Sequence, residues 1–189
     1  MSPVRLFSAV FCAAVAASAS GYAHAEADLP EWVRTVTGYY VDGLISESDF
    51  VTIVQWLMDN GIVPREVIGP EDPELTGGTM VRVIDGNTVH IDDTRIRLAL
   101  VDVVDSGNMT APHAVLARVL CPAGSYAYYD VDDLQVTGPY GRTIAAVYCS
   151  DGILLNDMMI EFGLGWINQY YCDKSEFRYS PWALDACSG

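Results

Sequence analysis

From Met80 to Asp105 apolar and polar residues alternate, with Val81, Val83, Val89, Ile91, Ile96 and Leu98 on the apolar positions. A two-residue period marks half-buried β-strands. Asp85-Gly86-Asn87 supplies turn chemistry between the first two strands, because Gly and Asn tolerate positive φ, and Asp92-Asp93 supplies the next turn. The stretch therefore predicts three short strands in a meander. Its polar groups are Asp85, Asn87, Thr88, Arg97, Asp102 and Asp105. Arg97 sits among apolar neighbours and needs a partner for its charge. A phosphate and a structural ion pair are the two candidates.

The rest of the chain divides around this stretch. Leu29 to Glu66 reads as a helical hairpin. Pro30 opens a helix with Trp32, Val33, Val36, Tyr39 and Tyr40 as an apolar stripe, and Asp42-Gly43 ends it. Ser46 or Ser48 caps a second helix that buries Phe50, Ile53, Val54, Leu57 and Met58, and Asn60-Gly61 closes it. A docking or spacer role is the plain reading of so small a unit. Residues 67–78 read as a linker, broken by Gly69-Pro70, Pro73 and Gly77-Gly78. Beyond the meander, a helix is expected over Ala111–Leu120, strands over Ser125–Tyr129 and Arg142–Cys149, a helix over Ile153–Gly163 and a last short helix from Ser180-Pro181-Trp182.

Residues 1–25 have the form of a secretory signal peptide: Arg5, an apolar run from Leu6 to Ala17, then small residues ending in Ala23-His24-Ala25. The run is shorter than the ~20 apolar residues of a spanning helix, so no stable membrane span is expected after cleavage. Cysteine usage agrees with export to a secreted or cell-surface location. Cys12 falls in the signal and leaves Cys121, Cys149, Cys172 and Cys187, an even number. Of the three pairings, Cys121 with Cys149 and Cys172 with Cys187 are favoured; buried free thiols are the alternative. The spacings lack the close ligand pairs of a zinc site.

The meander carries a family resemblance. Ile-Asp-Gly-Asn-Thr-Val (84–89), Arg-Ile-Arg-Leu-Ala-Leu-Val-Asp (95–102) and, downstream, Tyr140-Gly141-Arg142 resemble the thermonuclease (staphylococcal nuclease-like) domain, in order, over about residues 79–187. The resemblance implies a β-rich α+β fold, a five-stranded OB-type barrel with packed helices over 79–189, preceded here by the hairpin. It implies calcium-dependent hydrolysis of phosphodiester bonds, with nucleic acid or nucleotide as substrate. By motif, Arg97 and Arg142 stand at the two phosphate-binding catalytic arginines and Asp102 at a calcium ligand. Asp105 stands at the general base. Asp85, in the turn, and Asn87 complete the expected metal donors. The hairpin resembles a short Trp- and Tyr-containing repeat of exported archaeal proteins, which leaves room for a cell-envelope partner.

Several positions depart from the family pattern. Asn87 replaces a calcium-binding aspartate and brings no negative charge. Val103 replaces a threonine of the metal site, Val104 a proline, and Asp105 a glutamate one methylene longer. Both arginines and one metal carboxylate are kept, so phosphate recognition is expected to outlast efficient hydrolysis, and an impaired OB module that binds phosphate-bearing ligands is the second reading. The formal charge of −15, with Lys174 as the one lysine, opposes tight non-specific binding to a polyanion. It leaves room for a small, locally basic site. His113 is expected near that site, and His90 in solvent on a strand.

Overall fold

The computed structural model describes residues 29–66, 68 and 74–189. The expected signal peptide, with Cys12 and His24, and the first part of the expected linker lie outside the described residues. The three strands of the meander form: β1 (Leu75–Asp85), β2 (Thr88–Ile91) and β3 (Thr94–Leu98) pair antiparallel in order, but an irregularity in the register between Met80 and Arg82 leaves Val81 exposed and buries Met80 in its place. A short β4 (Val101–Val103) and α3 (Pro112–Leu120) follow, then β5 (Tyr126–Val131) and β6 (Thr143–Tyr148). The strands close into a five-stranded barrel in the order β1-β2-β3-β6-β5, with β3 and β6 parallel and the other pairs antiparallel. This is the expected OB-type α+β architecture.

Closure depends on one long strand serving two neighbours. The first half of β1, Leu75–Thr79, pairs with β5, and the second half, Met80–Asp85, pairs with β2. The expected linker over 67–78 therefore ends early, because Leu75 to Gly78 is strand. Gly77 and Gly78 serve close packing here. A Cβ on Gly77 would enter the Tyr126 ring, and one on Gly78 would lie 2.5 Å from the Asp92 carboxylate.

The hairpin is part of the core. α1 (Trp32–Val41) ends at Asp42, and α2 (Glu47–Asp59) starts from a capping box in which Ser46 accepts the Asp49 N–H and the Asp49 side chain accepts the Ser46 N–H. Tyr40 stacks on Phe50 with ring centroids 4.5 Å apart, and Phe50 meets Phe162 edge-on at 6.4 Å. Val33, Phe50, Val54 and Leu57 are buried in the same cluster as Leu116, Leu120 and Phe162. Glu161 fastens the hairpin from the far side, with one oxygen accepting the Leu29 N–H and the other meeting Arg34 at 3.3 Å.

α4 (Leu155–Glu161) packs under the barrel, β7 (Gly165–Ile167) pairs with β4 as a two-stranded ribbon, and α5 (Pro181–Cys187) ends the chain. The ribbon was not foreseen from the periodicity, since three residues per strand carry too little pattern. Asn156 pins α4 from a fully buried position. It accepts the Val147 N–H at 3.0 Å and donates to the Ala99 carbonyl at 3.1 Å. Both favoured disulfides are present. Cys121, at the end of α3, joins Cys149 after β6, and Cys172 joins Cys187 in α5. No described helix is long and apolar enough to cross a membrane.

Candidate functional site

Arg97 lies on the outer side of β3, beside Ile144 of β6. Directly after β3 the chain reverses: Leu100 takes φ 60° and the Val101 N–H donates to the Ala99 carbonyl at 2.7 Å. This reversal turns carbonyls toward Arg97. Its Nη1 donates to Leu98 O at 2.7 Å and to Val101 O, and its Nη2 reaches Asp102 Oδ1 at 3.0 Å. The guanidinium is therefore fixed before any ligand arrives. Arg142 follows two consecutive left-handed residues, Tyr140 at φ 64° and Gly141 at φ 68°. After that turn the arginine reaches over β3 toward β2: Nε donates to Pro139 O at 3.1 Å and Nη1 to Thr88 Oγ1 at 3.4 Å.

The two arginines line one cleft of about 220 Å³ together with Asp102, Ser106, Gln135, Asn168 and Tyr171. Burial pushes the Arg97 guanidinium below its ordinary range, Asp102 pulls it up, and Arg142 pushes it down again. Arg142 is likewise held down, by burial and then by Arg95. The cleft thus gathers two cations that destabilise one another and one carboxylate already shared with Arg97 and with the Asn168 amide at 3.1 Å. An anion with oxygens on two sides would relieve both guanidinium groups, meeting Arg142 through its remaining Nη donors and Arg97 through Nε, in charge-assisted hydrogen bonds. Phosphate has that geometry.

Three of the expected site residues meet in the cleft: Arg97, Arg142 and Asp102. The other three do not line it. Asp85 is buried, its Oδ1 accepting the Asn87 N–H at 3.0 Å and its Oδ2 the Gly107 N–H at 2.7 Å. It ties the β1–β2 turn to the loop after β4. Asn87 lies beneath the cleft floor. With its amide nitrogen on Asp85 Oδ1 at 3.0 Å and its oxygen on Arg97 Nη2 at 3.2 Å, both ends are satisfied. Asp105 is exposed in a left-handed turn at φ 50° and is not on the lining, although its neighbour Ser106 is.

This arrangement does not fit a calcium site. Calcium takes six to eight oxygen ligands, several from carboxylates. The cleft offers one carboxylate, Asp85 is spent on backbone N–H groups, and no cluster of three or more Asp, Glu, His or Cys side chains suited to a metal occurs among the described residues.

His113 is a scaffold residue rather than an acid or base of the site. It is 3% exposed, and its Nδ1 accepts the Gly86 N–H at 2.9 Å, which leaves Nε2 to donate to Val104 O at 2.7 Å. Gly86 is required for this contact. A Cβ there would lie 2.5 Å from His113 Cβ, and Gly86 does not take the positive φ expected of a turn glycine. Ser106, Gln135, Asn168 and Tyr171 were not singled out by the sequence. They come from three separate segments, Asn168 and Tyr171 sharing the short helical turn after β7, and no local pattern marks them.

No protein-family model matches the chain. Two curated relatives, each named an uncharacterized endonuclease, from Escherichia coli O157:H7 and Escherichia coli, are each 28% identical over 102 residues. The match covers 50% of this chain and 62% of each relative, so the chain spans less than two thirds of their length.

Proposed function

We propose that this protein binds the phosphodiester backbone of nucleic acid in the Arg97–Arg142 cleft and hydrolyses it slowly, outside the cytoplasm. The observation that carries this reading is the convergence of two partly buried guanidinium groups on one cleft in a chain of net charge −15. The similarity to relatives named as endonucleases supplies the reaction class. The two disulfides are compatible with an extracytoplasmic, oxidising location.

Each residue has a role that its contacts support. Arg97, preset by Leu98 O, Val101 O, Asp102 and the Asn87 oxygen, holds one phosphate oxygen through Nε without reorganising. Arg142 meets the phosphate from the opposite wall and stabilises charge as the phosphorus becomes pentacoordinate. Asp102 is the one carboxylate on the lining. Held between Arg97 and Asn168, it orients the attacking water. Slow turnover follows from the shortage of metal ligands and from Asp105 standing outside the lining.

The test is cleavage of end-labelled single-stranded DNA and RNA by the oxidised protein, with calcium and with chelator, in low and high salt. Cleavage that is lost in Arg142→Ala supports the reading. A specific observation also favours a second reading, a phosphate-binding module without turnover: the general-base position lies outside the cleft. Binding of a nucleoside 3′,5′-bisphosphate without any cleavage would select that module, and binding of neither nucleotide nor nucleic acid would overturn both readings.

A further inference from the structure

We propose that the Cys172–Cys187 disulfide is a reducible latch on the cleft: closed, it holds the wall that carries Asn168 and Tyr171, and a dithiol reductant opens it. This rests on the phosphate-binding reading of the cleft and adds to it a regulation of the same site.

One wall of the cleft hangs on this bond. Asn168 and Tyr171 both line the cleft. Asn168 heads the 3₁₀ turn Gln169–Lys174, its Oδ1 accepting the Tyr170 N–H at 3.2 Å, and its Nδ2 donates to Asp102 Oδ2 at 3.1 Å. The Tyr171 phenol acts electrostatically on both Arg97 and Arg142. Cys172 is the next residue of the turn, and its bond runs to Cys187 at the end of α5. Two hydrogen bonds supplement the disulfide. The Asn168 N–H donates to Leu100 O at 2.8 Å, and Gln169 Nε2 donates to Ala186 O at 2.9 Å. The second ends on α5 itself, beside Cys187, so it lasts only while α5 stays in place. Breaking the cross-link leaves the Asn168 contact with Asp102 to a turn that can open locally.

The two disulfides differ in access. Cys121 and Cys149 are fully buried in the main core cluster. Cys172 and Cys187 are 6% and 9% exposed and line a surface cavity of about 160 Å³ with Gln169, Asp173 and Arg178. Arg178 brings a cation to that cavity. Its Nη1 meets Asp173 at 2.6 Å, and its Nε is buried with no partner among the described residues. A guanidinium near a disulfide favours both the approaching thiolate and the thiolate that leaves.

In the exchange, one thiolate of the dithiol attacks a sulfur of the pair. The S–S bond breaks as a mixed disulfide forms, and the other cysteine leaves as a thiolate. The second thiolate of the reductant then displaces the attacked cysteine. The dithiol is oxidised to its own disulfide, and the two cysteines gain two electrons and two protons. The cleft is left with a loosened wall and with Asp102 held from the Arg97 side. Its affinity for phosphate falls, because the wall must be ordered again on binding. The coupling is reciprocal, so a ligand that favours the latched form makes the bond harder to reduce by the same factor.

The experiment uses the whole oxidised protein, dithiothreitol as the dithiol and a nucleoside 3′,5′-bisphosphate as the ligand. Native reduction, alkylation and peptide mapping should label Cys172 and Cys187 and leave Cys121 and Cys149 bonded. Titration calorimetry should show bisphosphate affinity about tenfold weaker in the reduced form and restored on reoxidation. Saturating bisphosphate should in turn lower the reduction potential by about 30 mV, the same tenfold factor for a two-electron couple. Cys172→Ser/Cys187→Ser, confirmed as folded by circular dichroism, should bind as the reduced form does and ignore the dithiol. A pair that yields only together with Cys121–Cys149 would overturn the latch and leave the cleft reading intact. So would a selectively reduced form that binds as the oxidised form does, with an unshifted potential. Bisphosphate bound by neither form would overturn the cleft reading, and hydrogen exchange then decides the latch. The latch stands if the Asn168 and Tyr171 amides exchange faster on reduction while those of β2 do not, and it falls if they are unchanged.

Discussion

Asn87→Asp separates a calcium site from a cleft that lacks one. The new carboxylate would lie with one oxygen about where the amide nitrogen sits, 3.0 Å from Asp85 Oδ1, and with Asp102 Oδ1 at 3.3 Å. Arg97 Nη2 would stand 3.2 Å away. At an effective dielectric of ~20, unit charges at these separations interact by about 5 kcal/mol each. Two repulsions against one attraction leave about 5 kcal/mol unfavourable, and the amide's donation to Asp85 is lost as well. Asp102 is 31% exposed, so solvent screening lowers the total to roughly 3 kcal/mol. For a chain of this size that corresponds to a fall in Tm of about 10 °C in chelator. A divalent cation among three converging carboxylates would reverse the sign. The assay is thermal unfolding of wild type and variant, each with excess calcium and with chelator. Wild type should be indifferent to calcium, and the variant should be depressed in chelator and recover in calcium. A wild type that calcium stabilises as strongly as the variant would refute the reasoning, because the present donors would then already hold the ion. So would a variant as stable as wild type in chelator, because the carboxylates would then not converge.

Arg142→Ala should abolish nucleotide binding with less than about 1 kcal/mol of stability loss, as its two hydrogen bonds are long and partly exposed, whereas Arg97→Ala should also lower stability by about 2–3 kcal/mol by stranding two carbonyls and Asp102; denaturant unfolding and isothermal titration separate the two. Glu176 is held above its ordinary pKa by burial and then, against the Asp133 N–H, by Asp133, Asp132 and Glu74. The folded state therefore binds its proton more tightly than the unfolded one, and the stability this brings is full at acid pH and lost as pH rises through the folded pKa. Glu176→Gln, which keeps an acceptor for Asp133 N–H, should unfold at higher temperature than wild type at pH 7 and together with it at pH 4. Deleting residues 29–66 should leave a chain that aggregates, because Leu116, Leu120 and Phe162 lose the cover of Phe50, Val54 and Leu57; a monomeric, cooperatively unfolding truncation by light scattering and calorimetry would show that the barrel closes its own core.

The barrel was legible because its information is local. Alternation over Met80 to Asp105 defines three strands, and Gly, Asp and Asn at 85–87 and 92–93 define their turns. α3 begins at Pro112, one residue inside its expected start, and α4 is shorter at both ends than its apolar pattern. The glycines misled. Gly77-Gly78 looked like a break and Gly86 like a φ-permissive turn residue. All three are instead places where a neighbouring side chain comes too close for a Cβ, a tertiary fact that composition does not carry. Hairpin helices with an apolar stripe were also readable, but whether the stripe met another domain or the barrel's own core depends on α3 and α4, which follow much later.

The candidate site divides along the same line. Arg97, Arg142 and Asp102 were found because they lie in short motifs, and the structure brings them to one cleft. What those residues can do there is decided by partners distant in sequence. Asp85 is taken out of the metal set by the Gly107 N–H, 22 residues away; His113 by Gly86, 27 away; and Asp102 is oriented by Asn168, 66 away. A motif states which side chains are present, and these contacts state which lone pairs and protons remain free. Here the carboxylates are largely committed to the scaffold, whereas Arg142 retains most of its Nη donors and Arg97 its Nε. The cleft is therefore better built to hold a phosphate than to hold a cation, and its binding should depend more on salt than on calcium.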